Sequence, residues 1–256
     1  MTPALELRGL RTEFRIGGRW HPAVRDLSLT LMRDETLALV GESGCGKSVT
    51  ALSVMGLVQP PYGRVAAGRI VLDGRDLSGL SERELERVRG NRMAMIFQEP
   101  MTSLNPVMTV GDQVAEALRI HRGLDRAASL ARARELFEEV KIPSAATRLR
   151  EYPHQFSGGM RQRVMIAIAL ACEPAKAAFF HAALFSAIPR LDAAAQALSA
   201  IPGRVPPLDA MPAGCRFAPR CPLARAGCER EQVLAEVVEG HTARCHVATG
   251  EVAIHA

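Results

Sequence analysis

Residues 41 to 48 read Gly41, Glu42, Ser43, Gly44, Cys45, Gly46, Lys47, Ser48. Glycine, four variable positions, then Gly-Lys-Ser is the pattern of a loop that cradles phosphate. An apolar run, Thr36 to Val40, leads into it and a helix-compatible stretch, Val49 to Leu57, leads out. In that setting the glycines let backbone N–H groups curl around phosphate oxygens, and the following helix N-terminus favours their charge. Lys47 would reach the β- and γ-phosphates, and the Ser48 hydroxyl would ligate Mg²⁺. Lysine is otherwise scarce, at Lys141 and Lys176 alone, so its presence at this position sets the loop apart from an ordinary glycine-rich turn. The loop predicts nucleotide binding.

The elements that must position this loop can be read from pattern. Leu5 to Phe14, Ala23 to Leu31 and Arg69 to Leu72 are β-type runs, with turns at Gly17-Gly18 and Asp73-Gly74. They predict a small antiparallel layer beside the strand that feeds the loop. Ser81 to Glu84 is a capping box that opens a short charged helix. Met93 to Phe97 is a compact apolar run, expected as a buried strand ending at Gln98. From Val110 to Val140 the period is helical, with Leu130, Ala133, Phe137 and Val140 on one face, and Pro143 and Pro153 interrupt the chain beyond it. Gln155 to Arg163 then leads into an apolar helix, Val164 to Cys172, so Ser157, Gly158 and Gly159 make a second turn opening a helix and a second potential anion site.

At 256 residues, 48% hydrophobic and 23% charged, the chain can form one large domain, or a domain with an appendage. No apolar stretch is long enough to span a bilayer, and the N-terminus lacks the plan of a secretion signal. The net charge of +5 comes from scattered arginines without a dense basic run or interleaved aromatics. Nucleic acid is therefore not expected as a partner.

The order of phosphate loop, Gln98 after a strand, helical insert, and Phe156-Ser157-Gly158-Gly159-Met160-Arg161-Gln162-Arg163 resembles the nucleotide-binding subunits of ABC transporters. The strings from Phe97 to Pro106 and from Tyr152 to Gly159 resemble the oligopeptide/dipeptide importer branch, which includes nickel importers. The likeness covers residues 1 to 174. It implies that Phe14 stacks on adenine, in competition with a plain role as a buried strand residue. It implies that Gln98 touches Mg²⁺ or the attacking water. Ser157, Gly158 and Gly159 would close on the γ-phosphate held by a second nucleotide-binding subunit, arranged head to tail as a homo- or heterodimer. Membrane permease subunits are the further implied partners, with the chain peripheral on the cytoplasmic side of the membrane.

The chain then departs from the family pattern. Four apolar residues running into Asp-Glu should follow, and later a strand ending in histidine. Instead, Cys172-Glu173-Pro174 passes through Ala175 to Phe180 into His181 to Arg190, which resembles a stretch well downstream in the family. The only Asp-Glu pair is Asp34-Glu35, in a turn ahead of the loop. Ala177 to Phe180 followed by His181 imitates a strand ending in the switch histidine, but the residues after it match the downstream region better. The resemblance therefore identifies no catalytic residue here. It leads us to expect weak or conditional ATP binding and near-absent hydrolysis. The core sheet is expected to be truncated, since the missing strands belong within it.

Cys215, Cys221, Cys228 and Cys245 cluster in a proline- and glycine-rich tail with little apolar periodicity, the kind of segment that needs a staple. In a cytosolic setting metal is expected over disulfides. Spacing and thiolate count leave Zn²⁺ and iron–sulfur open. Unliganded thiols are a third reading, and His241 or His246 could replace a thiolate. The string Cys215 to Pro222 resembles the importer branch's C-terminal extension, which implies a [4Fe-4S] cluster ahead of Zn²⁺. Cys45 and Cys172 read as small loop and core residues.

The expectation is an α/β P-loop NTPase-type sheet with a small antiparallel β layer, a helical insert and a truncated core, plus a Cys-rich C-terminal extension. Residues 1–174 would form the nucleotide-binding domain and 175–256 the extension. The leading function is the ATP-binding, energy-coupling subunit of an importer for di/oligopeptides or nickel, defective in hydrolysis. The alternatives are a remnant or gene-model artefact of such a subunit, and an iron–sulfur sensor module.

Overall fold

The computed structural model describes residues 2–42, 44–97, 103–172, 181–183 and 203–252. Strands β1 (Leu5–Ile16) and β2 (Arg19–Leu31) form a long antiparallel hairpin turning at Gly17-Gly18. Chain order then brings β3 (Ala38–Val40), α1 (Lys47–Val54), β4 (Gly63–Leu72) and β5 (Arg75–Asp76). The four-stranded antiparallel sheet has the order β2-β1-β4-β5. Leu5, Leu7 and Leu10 of β1, Val24 and Leu31 of β2 and Ile70 of β4 are buried with Val54 and Met55 from the end of α1. The antiparallel layer is as expected, although β4 starts six residues ahead of its readable apolar part. Helix α2 (Glu82–Val88) opens on the expected capping box, with Glu84 Oε2 accepting from the Ser81 backbone N–H at 2.9 Å.

The second core is helical. The apolar period from 110 to 140 splits into α3 (Val110–Arg122) and α4 (Arg126–Glu139). The break falls at Gly123, in the left-handed region at φ 67°, and Asp125 caps the next helix by accepting from the Ala128 N–H. After the short α5 (Ala145–Arg148) and a 3₁₀ turn at Pro153–Gln155, α6 runs from Gly158 to Leu170. Phe137, Leu136, Ala133, Val110, Val114 and Val164 are fully buried where these helices meet.

One expectation about the sheet needs correction. Met93 to Phe97 does not form a strand: only Met93 makes a bridge, to Arg89, and Phe97 is 41% exposed. An apolar run becomes a buried parallel strand only when hydrogen-bonded neighbours lie beside it. None of the described strands pairs with this one. The segment instead joins the two cores, with Met93 and Met95 packed on the sheet cluster and Ile96 on the helical one. Among the described residues, β3 has a single neighbour. Its partner is β6 (His181–Ala183), in parallel register with Ala38 beside His181 and Val40 beside Ala183. The described part of that strand runs from His181 to Ala183, and Ala177 to Phe180 lie outside the described residues. Val40, just ahead of the loop, is 55% exposed.

Among the described residues, the tail has 3₁₀ turns at Leu208–Ala210 and Ala218–Arg220, a hairpin of β7 (Ala235–Val238) and β8 (His241–Ala243), and α7 (His246–Val252).

Phe137→Ala should lower stability by about 3–5 kcal/mol, the range for emptying a fully buried aromatic site. Ile120→Ala, at a position 69% exposed, should change it by less than about 0.5 kcal/mol. Urea unfolding of both variants checks the contrast.

Candidate functional site

The loop at 41–48 is built by the backbone conformations its glycines allow. Gly46 has φ 100°, and a Cβ there would lie 3.1 Å from the Ala23 carbonyl of β2, so the loop is seated directly on the hairpin. Gly41 has φ 158°, and a Cβ there would lie 2.6 Å from Cys45 Sγ. Cys45 N–H donates to the Glu42 carbonyl at 3.3 Å, which closes the loop on itself. Gly46 is also the N-cap of α1, where its carbonyl accepts from the Thr50 N–H at 2.8 Å and the Thr50 hydroxyl at 3.0 Å. Deeper along α1, the buried Ser53 hydroxyl meets the Thr12 hydroxyl of β1 at 2.7 Å.

Lys47 Nζ donates to the carbonyls of Gly41 and Glu42 at 2.8 and 2.7 Å, with Cys45 Sγ at 3.6 Å. Its charge therefore lies over the loop's own centre, where a phosphate would be received. Ser48 is exposed on the first turn of α1, and Gly44 and Cys45 are exposed beside it. These residues fit a nucleotide's phosphates: backbone that accepts no side chain, a cation over it, and a hydroxyl at the helix start. Ser43 and Gln98 lie outside the described residues.

Phe14 stands opposite His21 on β2 and opposite Gly63 on β4. Its ring lies against Gly63 and it is half-buried, so much of it is occupied by packing. Ser157 is the N-cap of α6, its hydroxyl accepting from the Met160 N–H at 3.4 Å. Ser157, Gly158 and Gly159 are all exposed, and Cβ atoms on the two glycines would point into open space. Arg161 and Arg163 hold the turn in place by donating to the Pro153 carbonyl at 2.7 Å and the Lys141 carbonyl at 2.5 Å. The phosphate loop belongs to the sheet core and this second turn to the helical core.

Asp34-Glu35 lies in a turn as expected, with Glu35 Oε2 accepting from the Met32 N–H at 2.7 Å. Cys172 is buried, and that burial pushes its thiol up, against the opposing pull of Arg122. It is a core residue. The four tail cysteines are free thiols. Cys215 and Cys228 are joined through their backbones at 2.8 Å, and Gly227 abuts the His246 ring. Among the described residues no three His, Cys, Asp or Glu side chains come together as a metal-ligand set. Backbone contacts bring the quartet's loops near one another without turning the thiols to one point.

What the sequence reading missed is a contact between the tail and the phosphate loop. Arg220 makes a two-pronged ion pair with Glu42, at 3.0 Å through Nη1 and 2.5 Å through Nη2, with its side chain only 10% exposed. Arg216 donates to the Pro22 and Ala23 carbonyls, the stretch of β2 on which Gly46 rests. Arg244 pairs with Asp26 at 2.6 Å, further along the same strand. The available signal was the pair of arginines four apart around Phe217, in a segment with no core of its own.

The Arg220 guanidinium holds the Glu42 carboxyl below its ordinary value, a hydrogen bond outweighing a small burial cost. A depressed carboxyl contributes stability that is present above its unfolded value of 4.5 and lost as pH falls through the lower folded one. NMR titration should find Glu42 titrating below 4.5, and Arg220→Ala should return it to the ordinary range. The variant should be less stable than the parent at neutral pH, with the difference gone once Glu42 is protonated.

Comparison with known proteins agrees with the fold and the loop. The family model "ABC transporter" matches residues 24–177, and "Oligopeptide/dipeptide transporter, C-terminal region" matches 180–228. A protein of Brucella abortus (strain 2308) named "Putative peptide import ATP-binding protein" is 37% identical over 326 residues, covering 95% of this chain and 96% of its own. One of the same description in Brucella suis biovar 1 (strain 1330) is 37% identical over 314 residues, covering 95% and 94%. Both alignments are longer than the 256 residues present here, so these relatives contain residues with no counterpart in this chain. Among solved structures, the dimeric ATP-binding cassette MJ0796 bound to ADP and Pi superposes with a TM-score of 0.59 at 26% identity, covering 66% of this chain and 70% of that one. With the phosphate loop, the antiparallel layer and the helical core all in place, the chain belongs to the ABC transporter family, in the branch of the oligopeptide/dipeptide importer ATP-binding subunits.

Proposed function

We propose that this chain is the ATP-binding, energy-coupling subunit of a di/oligopeptide or nickel importer that binds nucleotide and turns it over very slowly. The observation that carries the reading is the loop at 41–48, folded with Lys47 over its centre, in a chain whose only Asp-Glu pair is tied into the turn before β3. In this reading the N–H groups of Gly44 to Ser48 and Lys47 hold the phosphates, Ser48 and Gln98 approach Mg²⁺, and Phe14 touches the base. Bound ATP supplies the negative charge that links two such subunits. Ser157, Gly158 and Gly159 meet the nucleotide held by the partner subunit, which their exposure and their place on a separate core support. A pair joined in this way passes nucleotide state to permease subunits.

The sequence lacks the carboxylate pair that would polarise an attacking water, a contribution typically worth about 10²–10⁴ in rate. A domain boundary near 174 is supported by the two family models, which meet between residues 177 and 180. Attachment at the cytoplasmic face through permease subunits is supported by the relatives named as peptide import ATP-binding proteins. For the tail, a [4Fe-4S] cluster ahead of Zn²⁺ is supported by the grouping of Cys215, Cys221, Cys228 and Cys245 and by the Cys215–Cys228 backbone contact. Loading it would require the thiols to converge.

The exposed end of β3 favours one second reading, a remnant that no longer folds well enough to bind. Thermal melting with and without Mg·ATP separates the two. A ligand that binds only the native state must raise its stability, so the transition should move up with ATP and stop responding in Lys47→Ala. Phosphate release should be at least about 100-fold slower than in a family member with the carboxylate pair. A melting curve indifferent to saturating ATP would support the remnant, and turnover at the family's ordinary rate would refute the hydrolysis defect. Anaerobic loading with iron and sulfide should give visible absorbance that is lost in Cys215→Ser.

A further inference from the structure

A cavity of about 340 Å³ lies between the tail and the phosphate loop, lined by Glu42 and Cys45 of the loop and by Arg216, Phe217 and Arg220 among the tail residues. On its loop side, Cys45 Sγ is 3.6 Å from Lys47 Nζ. The cavity therefore borders the end of the loop where that lysine would meet the β- and γ-phosphates. Its charge is unbalanced. The guanidiniums of Arg216 and Arg220 line it, and Arg25 stands close enough to repel Arg216, against the carboxylate of Glu42 alone.

The tail arginines have different partners. Arg220 engages both oxygens of Glu42, and the Phe217 ring centroid lies 5.2 Å from its guanidinium. Glu42 is thereby screened, so the loop does not present a bare carboxylate to an incoming anion. Arg216 donates to neutral acceptors, the carbonyls of Pro22 and Ala23, and has no carboxylate partner among the described residues. Its Nε is buried and meets no acceptor there, as is also true of Arg25 and Arg220. Burial first, and then repulsion by Arg25, hold the Arg216 guanidinium below its ordinary pKa. A half-buried cation with an unmet donor and a like-charged neighbour costs stability that an anion would relieve.

We propose that this cavity receives the terminal phosphate of bound ATP, and that Arg216 of the C-terminal extension supplies the charge that favours a triphosphate over a diphosphate. The inference rests on the ATP-binding reading and deepens it. The phosphate loop holds what ATP and ADP share. The third phosphate adds negative charge and acceptor oxygens at the end of the chain that faces the tail. A contact between ionised groups is stronger than one between neutral groups, and more so where water is partly excluded. Arg220 acts indirectly, as a positioning residue that keeps Glu42 from repelling the same phosphate. The tail thereby sets the preference of the site between the two nucleotides.

Calorimetric titration of the full chain with Mg·ATP and with Mg·ADP tests this. The parent should bind ATP more tightly than ADP by about 10-fold or more, the size of one hydrogen bond to a charged group. Arg216→Gln removes the charge while keeping a donor for the β2 carbonyls. It should abolish most of that preference with little change in ADP affinity, and Arg216→Lys should retain the preference. Arg220→Ala, which bares Glu42, should also shrink it, and Glu42→Gln added to that variant should restore it. Arg230→Gln, at an exposed charge of the same segment, should leave both affinities unchanged. A purely structural role for Arg216 would weaken both nucleotides alike and leave their ratio intact. That result overturns the proposal, as does an unchanged ratio in Arg220→Ala or loss of the preference in Arg216→Lys. Equal affinity of the parent for the two nucleotides would overturn it while leaving the phosphate-loop reading intact. Binding of neither would remove both.

Discussion

The loop at 41–48 can hold phosphate only as firmly as the strand that ends in it and the helix that begins in it are themselves held. Helix α1 is secure: Val54 lies in the sheet core, and Ser53 is hydrogen-bonded to Thr12 below it. Strand β3 is three residues long and pairs, among the described residues, with β6 alone. A short two-stranded parallel ribbon has little stability of its own. The loop's position therefore depends on the remaining contacts, Gly46 against Ala23 and the tail arginines from the other side.

That dependence explains why the C-terminal segment matters so much to this chain. Arg216 and Arg244 grip the β2 backbone and Asp26, and Arg220 grips Glu42. Exposed ion pairs are individually worth little. Arg220 is mostly shielded and engages both carboxylate oxygens, a geometry that fixes direction as well as distance. With β3 paired, among the described residues, to β6 alone, these contacts brace the loop from outside. They also leave a cavity where loop and tail meet.

Much of this was legible in the sequence because it depends on local chemistry. The phosphate loop needs glycine where backbone approaches Ala23, the capping box at Ser81 needs only its own helix start, and the face of Ala133 and Phe137 repeats with the helical period. Met93 to Phe97 was misread because a buried strand is defined by its neighbours, and apolar residues serve equally well as a joint between two cores. The tail's grip on the loop was not legible because it joins Glu42 to Arg220 across 178 positions. Nothing in either local pattern names the other. The cysteines were legible as a group, yet backbone proximity of Cys215 and Cys228 did not bring the thiols to one point.

The central claim is that a loop braced chiefly from outside still forms a working phosphate cradle. Amide hydrogen exchange, followed residue by residue with and without Mg·ATP, tests it most directly. The account requires slowed exchange at Gly44 to Thr50, at Ala38 to Val40 and in the tail around Arg216 to Arg220, with the helical core from Val110 to Glu139 unchanged. Exchange in the loop that is fast and indifferent to ATP, in a chain whose helical core remains protected, would contradict it.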